Sequence, residues 1–165
     1  MHPLKIIIPL LFVVITLGKL VYLTELYRHG ARYPVNDLYD GNQTKAYHGQ
    51  LTGIGMRQHY LLGSYLRKDY LDQLGLSSSF DPTQTEVFVD GSQRCLESAY
   101  AHMAGWFPLG QGAQIPAGLD ASLLQPPFES SNLNQGETLE EPALTSGYQP
   151  IPIKIAKDFF PSCPN

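Results

Sequence analysis

Two apolar segments of this chain each stop abruptly at polar residues, and a helical pattern follows each of them. The segment Val21–Tyr27 combines β-branched, aromatic and aliphatic side chains and ends at Arg28, and Thr85–Val89 ends at Asp90. Such segments predict short buried strands. Strands that alternate with helices indicate a parallel α/β sheet, whose ligands bind in loops after the carboxyl ends of the strands. The pattern therefore predicts a site in the loops that begin at Arg28 and Asp90.

Both helical patterns have recognisable ends. Thr52 is suited to cap the first helix and Gly75 to end it, whereas Ser92 is suited to cap a second helix over about Gln93–Gly105. Three- and four-residue spacing predicts the apolar face of each helix. The first face comprises Leu51, Ile54, Gln58, Leu61, Leu62, Tyr65 and Leu66. The second comprises Leu96, Ala99, Tyr100, Met103 and Trp106.

A third strand, limited by proline, is predicted at Ile151–Ile155. The preceding segment 110–149 is rich in Gly, Pro, Gln and Ser and has little periodicity, so we expect loops there. The whole pattern predicts a three-layer α/β/α domain built on a parallel sheet. Three strands are few for a sheet that is covered on both faces. We therefore expect the domain to be incomplete in this chain.

The N-terminus has the pattern of a signal peptide over residues 1–18. A short cationic start precedes the apolar run Ile6–Leu17, and small residues follow. The run is shorter than the roughly 20 residues of a comfortable membrane span. Lys19 and the apolar residues after it leave an uncleaved membrane anchor as the alternative. A single glycosylation sequon at Asn42 agrees with entry into the secretory pathway.

Charge and cysteine content exclude several kinds of partner. The net charge is −4 and the 11 Lys and Arg residues form no run, so we expect no nucleic-acid surface. The chain has no Cys/His cluster at zinc spacing and no P-loop, so we expect neither a metal nor another cofactor. Its 2 cysteines, Cys95 and Cys163, allow at most one disulfide.

The segment Arg28–Pro34 carries the strongest chemical signal. An imidazole such as that of His29 is a competent nucleophile toward phosphorus if a hydrogen bond to its other nitrogen fixes the tautomer. Guanidinium groups such as those of Arg28 and Arg32 can bind a phosphate dianion and stabilise the transferring phosphoryl group. Gly30 lacks a Cβ and would let the backbone approach bound phosphate. The alternative is a strand end with a solvated basic patch.

The same segment resembles the signature R-H-G-x-R-x-P of the histidine acid phosphatases. The resemblance continues at Leu51–Gln58, which is similar to the L-T-x-x-G-x-x-Q helix of the family, and at Ser92–Arg94. It implies the N-terminal part of a phosphoglycerate-mutase-like fold, with 19–165 as a partial catalytic domain and 110–149 as a cap-like segment. It also implies a secreted or lysosomal acid phosphatase.

The resemblance implies specific roles for four residues. His29 would attack small-molecule or protein phosphate monoesters and form a phosphohistidine. Arg28 and Arg32 would bind the phosphate, and Arg94, at the start of the second helix, would be the third phosphate-binding arginine.

One element of the family pattern is absent. Family members carry a His-Asp pair, whose Asp protonates the leaving oxygen, and this sequence contains no His-Asp dipeptide. Cys163 would likewise lack the later partner that the family supplies, and Cys95 is interpreted as a small core residue. The remaining histidines are interpreted as targeting-segment, loop and helix-surface residues without function: His2, His48, His59 and His102. The alternative function is a catalytically inactive relative that binds phosphate or another protein.

Overall fold

The computed structural model describes residues 18–35, 45–124 and 142–156. In chain order, its helices and strands are α1 (Gly53–Leu74), β1 (Phe88–Val89), α2 (Gln93–Trp106) and β2 (Lys154–Ile155). Three short 3₁₀ helices occupy Lys45–Tyr47, Ala121–Leu124 and Thr145–Gly147. Most of the predicted signal peptide, Asn42 and Cys163 lie outside the described residues. No described helix is long and apolar enough to cross a membrane.

Helix α1 begins and ends where its capping residues predict. The Thr52 hydroxyl accepts a hydrogen bond from the Gly55 N–H at 3.1 Å, which satisfies a donor that the first turn leaves unpaired. Gly75 adopts the left-handed conformation at φ 67°, and its N–H donates to the Asp72 carbonyl. Helix α2 also begins directly after Ser92, as predicted. The Ser92 side chain makes no capping bond, and its hydroxyl donates to Asp90.

Helices α1 and α2 pack against each other through glycine. A Cβ on Gly63 would overlap the His102 carbonyl oxygen, and one on Gly105 would overlap the Tyr60 carbonyl oxygen. The two backbones are therefore in direct contact at this crossing. Large side chains do not fit there, and the buried residues of α1 are Gly55, His59 and Gly63.

This close contact overturns part of the predicted apolar face of α1. Leu51 is buried as predicted, but Ile54 is 69% exposed, Leu61 51% and Tyr65 62%. The periodicity is helical, yet the large apolar side chains lie mostly outside the helix contact. The predicted apolar face of α2 is largely confirmed, because Ala99, Met103 and Trp106 are buried and only Tyr100 is half exposed.

The predicted parallel pairing of strands is confirmed in a short form. Strand β1 pairs with β2 in parallel, with Phe88 opposite Lys154 and Val89 opposite Ile155. A buried apolar cluster lies between this pair and α2. It comprises Val87, Val89, Ala99, Met103, Trp106, Phe107 and Ile151.

The predicted first strand, Val21–Tyr27, is wrong for the part of the chain that the structure describes. The segment is not in a strand, and its backbone makes no hydrogen bond to another described backbone group. A strand requires such a partner. The side chains nevertheless alternate, with Leu23, Glu25 and Tyr27 partly buried and the residues between them exposed. The segment leads directly into Arg28 and His29, and the Arg28 carbonyl contacts His59 of α1.

Candidate active site

Five consecutive residues, 28–32, and Gln58 line an open depression of about 470 Å³ at the N-terminal part of α1. The lining contains Arg28, His29 and Arg32 and no acidic side chain. Two guanidinium groups beside an imidazole, with no opposing carboxylate, favour an anionic ligand. The structure therefore brings together three of the four predicted site residues, the predicted nucleophile His29 and two of the three predicted phosphate-binding arginines.

The His29 ring is held by the backbone of the next residue. Its Nδ1 lies 2.8 Å from the Gly30 carbonyl oxygen. Because a carbonyl only accepts, Nδ1 must carry the proton in this hydrogen bond. In the neutral ring the lone pair then resides on Nε2. This is the tautomer that a nucleophilic histidine needs. The hydrogen bond that fixes it is to the adjacent residue.

Hydrogen bonds from both helices hold the loop around His29. The Gly30 N–H donates to the Ser98 hydroxyl of α2 at 3.1 Å, and Ser98 in turn donates to the Arg94 carbonyl at 2.7 Å. The Ala31 carbonyl accepts from the Thr52 hydroxyl at 2.8 Å and from the Thr52 N–H at 2.9 Å. The loop is thus fixed between the starts of α1 and α2.

Gly30 is required by its contact with α1. A Cβ at this position would lie 2.5 Å from the Gly55 carbonyl oxygen, a distance that real Cβ atoms essentially never show. The expected approach of the Gly30 backbone to phosphate stays a prediction. The close approach that the structure shows is to the backbone of Gly55.

The arginines of the depression differ in their surroundings. Arg28 is exposed, and its carbonyl accepts a hydrogen bond from Nε2 of His59 at 3.1 Å. Arg32 is partly buried, and its Nη1 donates to the Tyr33 carbonyl at 3.0 Å. The backbone of Arg32 also forms an antiparallel bridge with Leu51. The backbones of both arginines are therefore anchored, that of Arg28 by the His59 side chain and that of Arg32 by pairing with Leu51.

Arg94 does not line the depression. It is partly buried, and among the described residues its buried Nε has no hydrogen-bond partner. Its carbonyl is linked to Gly30 through Ser98. Burial would raise the pKa of the neighbouring Asp90, but hydrogen bonds from Ser92 and the charge of Arg94 bring that pKa below its usual value. Arg94 therefore lies beside the loop of residues 28–32 with an ionised carboxyl nearby.

Behind the loop lies a buried polar network that the sequence reasoning missed. The Nε2–H of His102 donates to Oε2 of Glu25 at 2.7 Å, and the indole N–H of Trp106 donates to Oε1 of Glu25 at 3.1 Å. The Tyr27 ring lies 4.6 Å from that of His102 and 5.0 Å from that of His59. Both carboxylate oxygens of Glu25 are therefore used, which satisfies a group that is costly to bury alone.

The interpretation of His59 and His102 as helix-surface residues is wrong. They are only 5% and 0% exposed. The physical reason is the close crossing of α1 and α2, which turns the glycine and histidine positions inward. A signal was present in the sequence, since Gly55, His59 and Gly63 follow one another at four-residue spacing. The spacing of Ser98 and His102 on α2 is the same.

The environment of His59 predicts a pH-dependent contribution to stability. Burial, and then the neighbouring His102, lower the pKa of His59 below its ordinary value of 6.5. The unfolded chain therefore binds a proton at this position more readily than the folded chain. We expect the free energy of unfolding to fall as the pH drops from about 6.5 toward the lowered pKa.

Urea unfolding of wild type and His59→Gln between pH 7.5 and 5 measures this effect. Glutamine keeps an N–H donor for the Arg28 carbonyl and does not titrate. We expect the variant to lose less stability on acidification than wild type. Equal losses of stability on acidification for the two proteins would show that His59 does not contribute to the pH dependence.

No group of three or more His, Cys, Asp or Glu side chains that could hold a metal ion occurs among residues 18–35, 45–124 and 142–156. Cys95 is a free, partly buried thiol, and its pKa is raised by burial. It packs against the apolar cluster, as expected for a small core residue.

Comparison with known proteins places this geometry in context. The family model described as the histidine phosphatase superfamily, branch 2, matches residues 19–150. Prostatic acid phosphatase of Bos taurus is 37% identical over 94 residues, which cover 54% of this chain and 24% of that protein. Lysosomal acid phosphatase of Xenopus laevis is 35% identical over 117 residues (67% and 26%), and that of Homo sapiens is 41% identical over 96 residues (54% and 22%). The matched segments thus span about a quarter of these relatives.

Proposed function

The chain belongs to branch 2 of the histidine phosphatase superfamily, and on that premise we propose that it acts on phosphate monoesters. In this proposal His29 is the nucleophile, and Arg28, Arg32 and Arg94 bind the phosphate. The observation that carries it is the 2.8 Å hydrogen bond between Nδ1 of His29 and the Gly30 carbonyl, in a depression lined by Arg28 and Arg32. The prostatic and lysosomal acid phosphatases among the relatives support the same reaction class.

The proposed reaction has two steps. Nε2 of His29 attacks phosphorus, a bond from nitrogen to phosphorus forms, and the bond to the ester oxygen breaks. The ester oxygen leaves with the bonding electrons and takes a proton from water. A second water then attacks the phosphorus of the phosphohistidine, the nitrogen–phosphorus bond breaks, and its electrons return to Nε2 of the neutral imidazole. The hydroxide left by the first water takes up the proton that the second water gives up, and inorganic phosphate is released. The guanidinium groups stabilise the charge on the phosphoryl oxygens in both steps.

Protonation of the leaving oxygen limits this reaction. The sequence has no His-Asp dipeptide, and the lining of the depression has no carboxylic acid. General acid catalysis typically contributes 10²- to 10⁴-fold. An aryl oxide leaves without much assistance, whereas an alkoxide does not. We therefore expect the 165-residue chain to cleave 4-nitrophenyl phosphate at least about 100-fold faster than an alkyl phosphate.

Parallel assays of the purified chain with the two esters test the proposal. Release of 4-nitrophenol with little alcohol release supports it. Phosphate binding without any turnover would instead support the second function, a non-catalytic phosphate-binding relative. That alternative is favoured by the absence of a carboxylic acid from the lining of the depression.

We also propose that the protein enters the secretory pathway and is secreted or lysosomal. The apolar N-terminal run and the names of the lysosomal relatives support this location. Sequencing of the mature N-terminus after expression in animal cells tests it. A new terminus near Lys19 is expected, and recovery of Met1 or His2 would contradict cleavage.

A further inference from the structure

One side chain in the depression takes no part in the mechanism proposed above. Gln58 lies in the second turn of α1 and lines the depression together with Arg28, His29 and Arg32. Its side chain extends from a helix and not from the loop that carries the other lining residues. A glutamine offers both an acceptor and two donors.

The orientation of the Gln58 amide follows from the group that it contacts. The backbone N–H of Ala31 donates to Oε1 of Gln58 at 3.0 Å. Because an N–H donates only, the oxygen of the amide must face it and the Nε2 group must face away. The Nε2 group makes no hydrogen bond to any residue that the structure describes. A side chain that lines the depression therefore carries two N–H donors that the loop backbone does not use.

The helix around Gln58 is tied to the loop on both sides of this amide. Its neighbour His59 donates to the Arg28 carbonyl, and Thr52, at the N-cap of α1, donates to the Ala31 carbonyl. The backbone of Gly55, between them, is in direct contact with Gly30. Gln58 is thus held relative to His29 before any ligand binds, which is the condition for an effective hydrogen-bond donor.

We propose that Gln58 is a phosphate ligand, whose Nε2 donates a hydrogen bond to a non-bridging oxygen of the phosphoryl group. This inference rests on the proposed function of the same depression. Arg28 and Arg32 supply the charge that attracts a dianion. The neutral amide adds a directed donor to one further oxygen of the same group without adding a charge that must be desolvated.

Two substitutions separate this role from a structural one. Gln58→Glu keeps an acceptor for the Ala31 N–H but has no donor when ionised. Gln58→Met removes the donor and the acceptor and adds no charge. A donor role predicts weaker binding of inorganic phosphate for both variants. A purely structural role predicts weakening for the methionine variant only, and a purely electrostatic effect predicts it for the glutamate variant only.

Gln84→Glu is the matched control for the added charge. Its Oε1 accepts from the Ser77 N–H at 2.9 Å, in the turn after α1. That turn lies roughly 25 Å along the helix from Gln58, given a rise of 1.5 Å per residue. This variant therefore makes the same chemical change and keeps the same kind of backbone contact, far from the depression.

Isothermal titration of the 165-residue chain and its variants with inorganic phosphate is the experiment. We expect both Gln58 variants to bind at least about tenfold more weakly than wild type, and Gln84→Glu to bind as wild type does. Weakening of only one Gln58 variant, or of neither, would overturn the role of Gln58 and leave the proposed function intact. If wild type itself binds no phosphate, the site and this inference fail together. Urea unfolding of each variant establishes that it is folded.

Discussion

Replacement of His29 by alanine is expected to abolish phosphoryl transfer. With 4-nitrophenyl phosphate, the rate of 4-nitrophenol release should fall by at least about 10³-fold, and no acid-labile phosphoprotein should form. The reason is that no other imidazole lines the depression. Phosphate binding should weaken far less, because Arg28 and Arg32 remain. Stopped assays with radiolabelled ester, followed by digestion and mapping, measure both the rate and the position of the label.

His29→Asn is the matched control for this experiment. An asparagine amide N–H can replace the Nδ1–H bond to the Gly30 carbonyl, now 2.8 Å long, but it supplies no nucleophile. We expect this variant to be as inactive as alanine while it keeps the loop in place. Retention of label by either variant, or label on another residue of the wild-type chain, would remove His29 from the nucleophile position.

The largest effect on stability is expected for Gly63→Ala. The added Cβ would overlap the His102 carbonyl oxygen at the crossing of α1 and α2. Backbone cannot move aside as a flexible side chain can, so the two helices must separate. Separation would also loosen the contact between His102 and Glu25. We expect the free energy of unfolding to fall by at least about 2 kcal/mol, measured by urea unfolding.

Gly53→Ala provides the control in the same helix. Gly53 is the first residue of α1, and a Cβ there would meet no heavy atom within 4 Å. Alanine has the higher helix propensity, so this variant should be unchanged or more stable by up to about 1 kcal/mol. If both variants had the same free energy of unfolding, the glycine contact between α1 and α2 would not be the cause of a loss of stability.

The elements that sequence reasoning located well are those with local causes. The ends of α1 follow from the Thr52 cap and the left-handed Gly75, each of which involves only residues a few positions away. The start of α2 after Ser92 was likewise predictable. The parallel pairing of β1 and β2 followed from the alternation of strands and helices, although the paired residues lie far apart in the chain. Strand Val21–Tyr27 was not, because a strand depends on a backbone partner that the local pattern does not contain.

The residues of the candidate site likewise include some that are close together in the chain and some that are far apart. Arg28, His29 and Arg32 are close in the chain, so their meeting in one depression follows from a single short loop. Gln58 and Ser98 reach this loop from two different helices, at 27 and 68 residues' separation from their partners. Their participation could not be inferred from spacing along the chain.

The sequence by itself thus determined the helix ends and the histidine with its flanking arginines, because each depends on neighbouring residues or on a contiguous motif. Only the tertiary structure decided which face of α1 is buried, that His59 and His102 lie inside, and that Glu25 is the partner of His102. Hydrophobic periodicity reports which side chains gain by leaving water. Where two helix backbones touch, the smallest side chains are selected instead, and that contact sets the direction of every other residue on the helix.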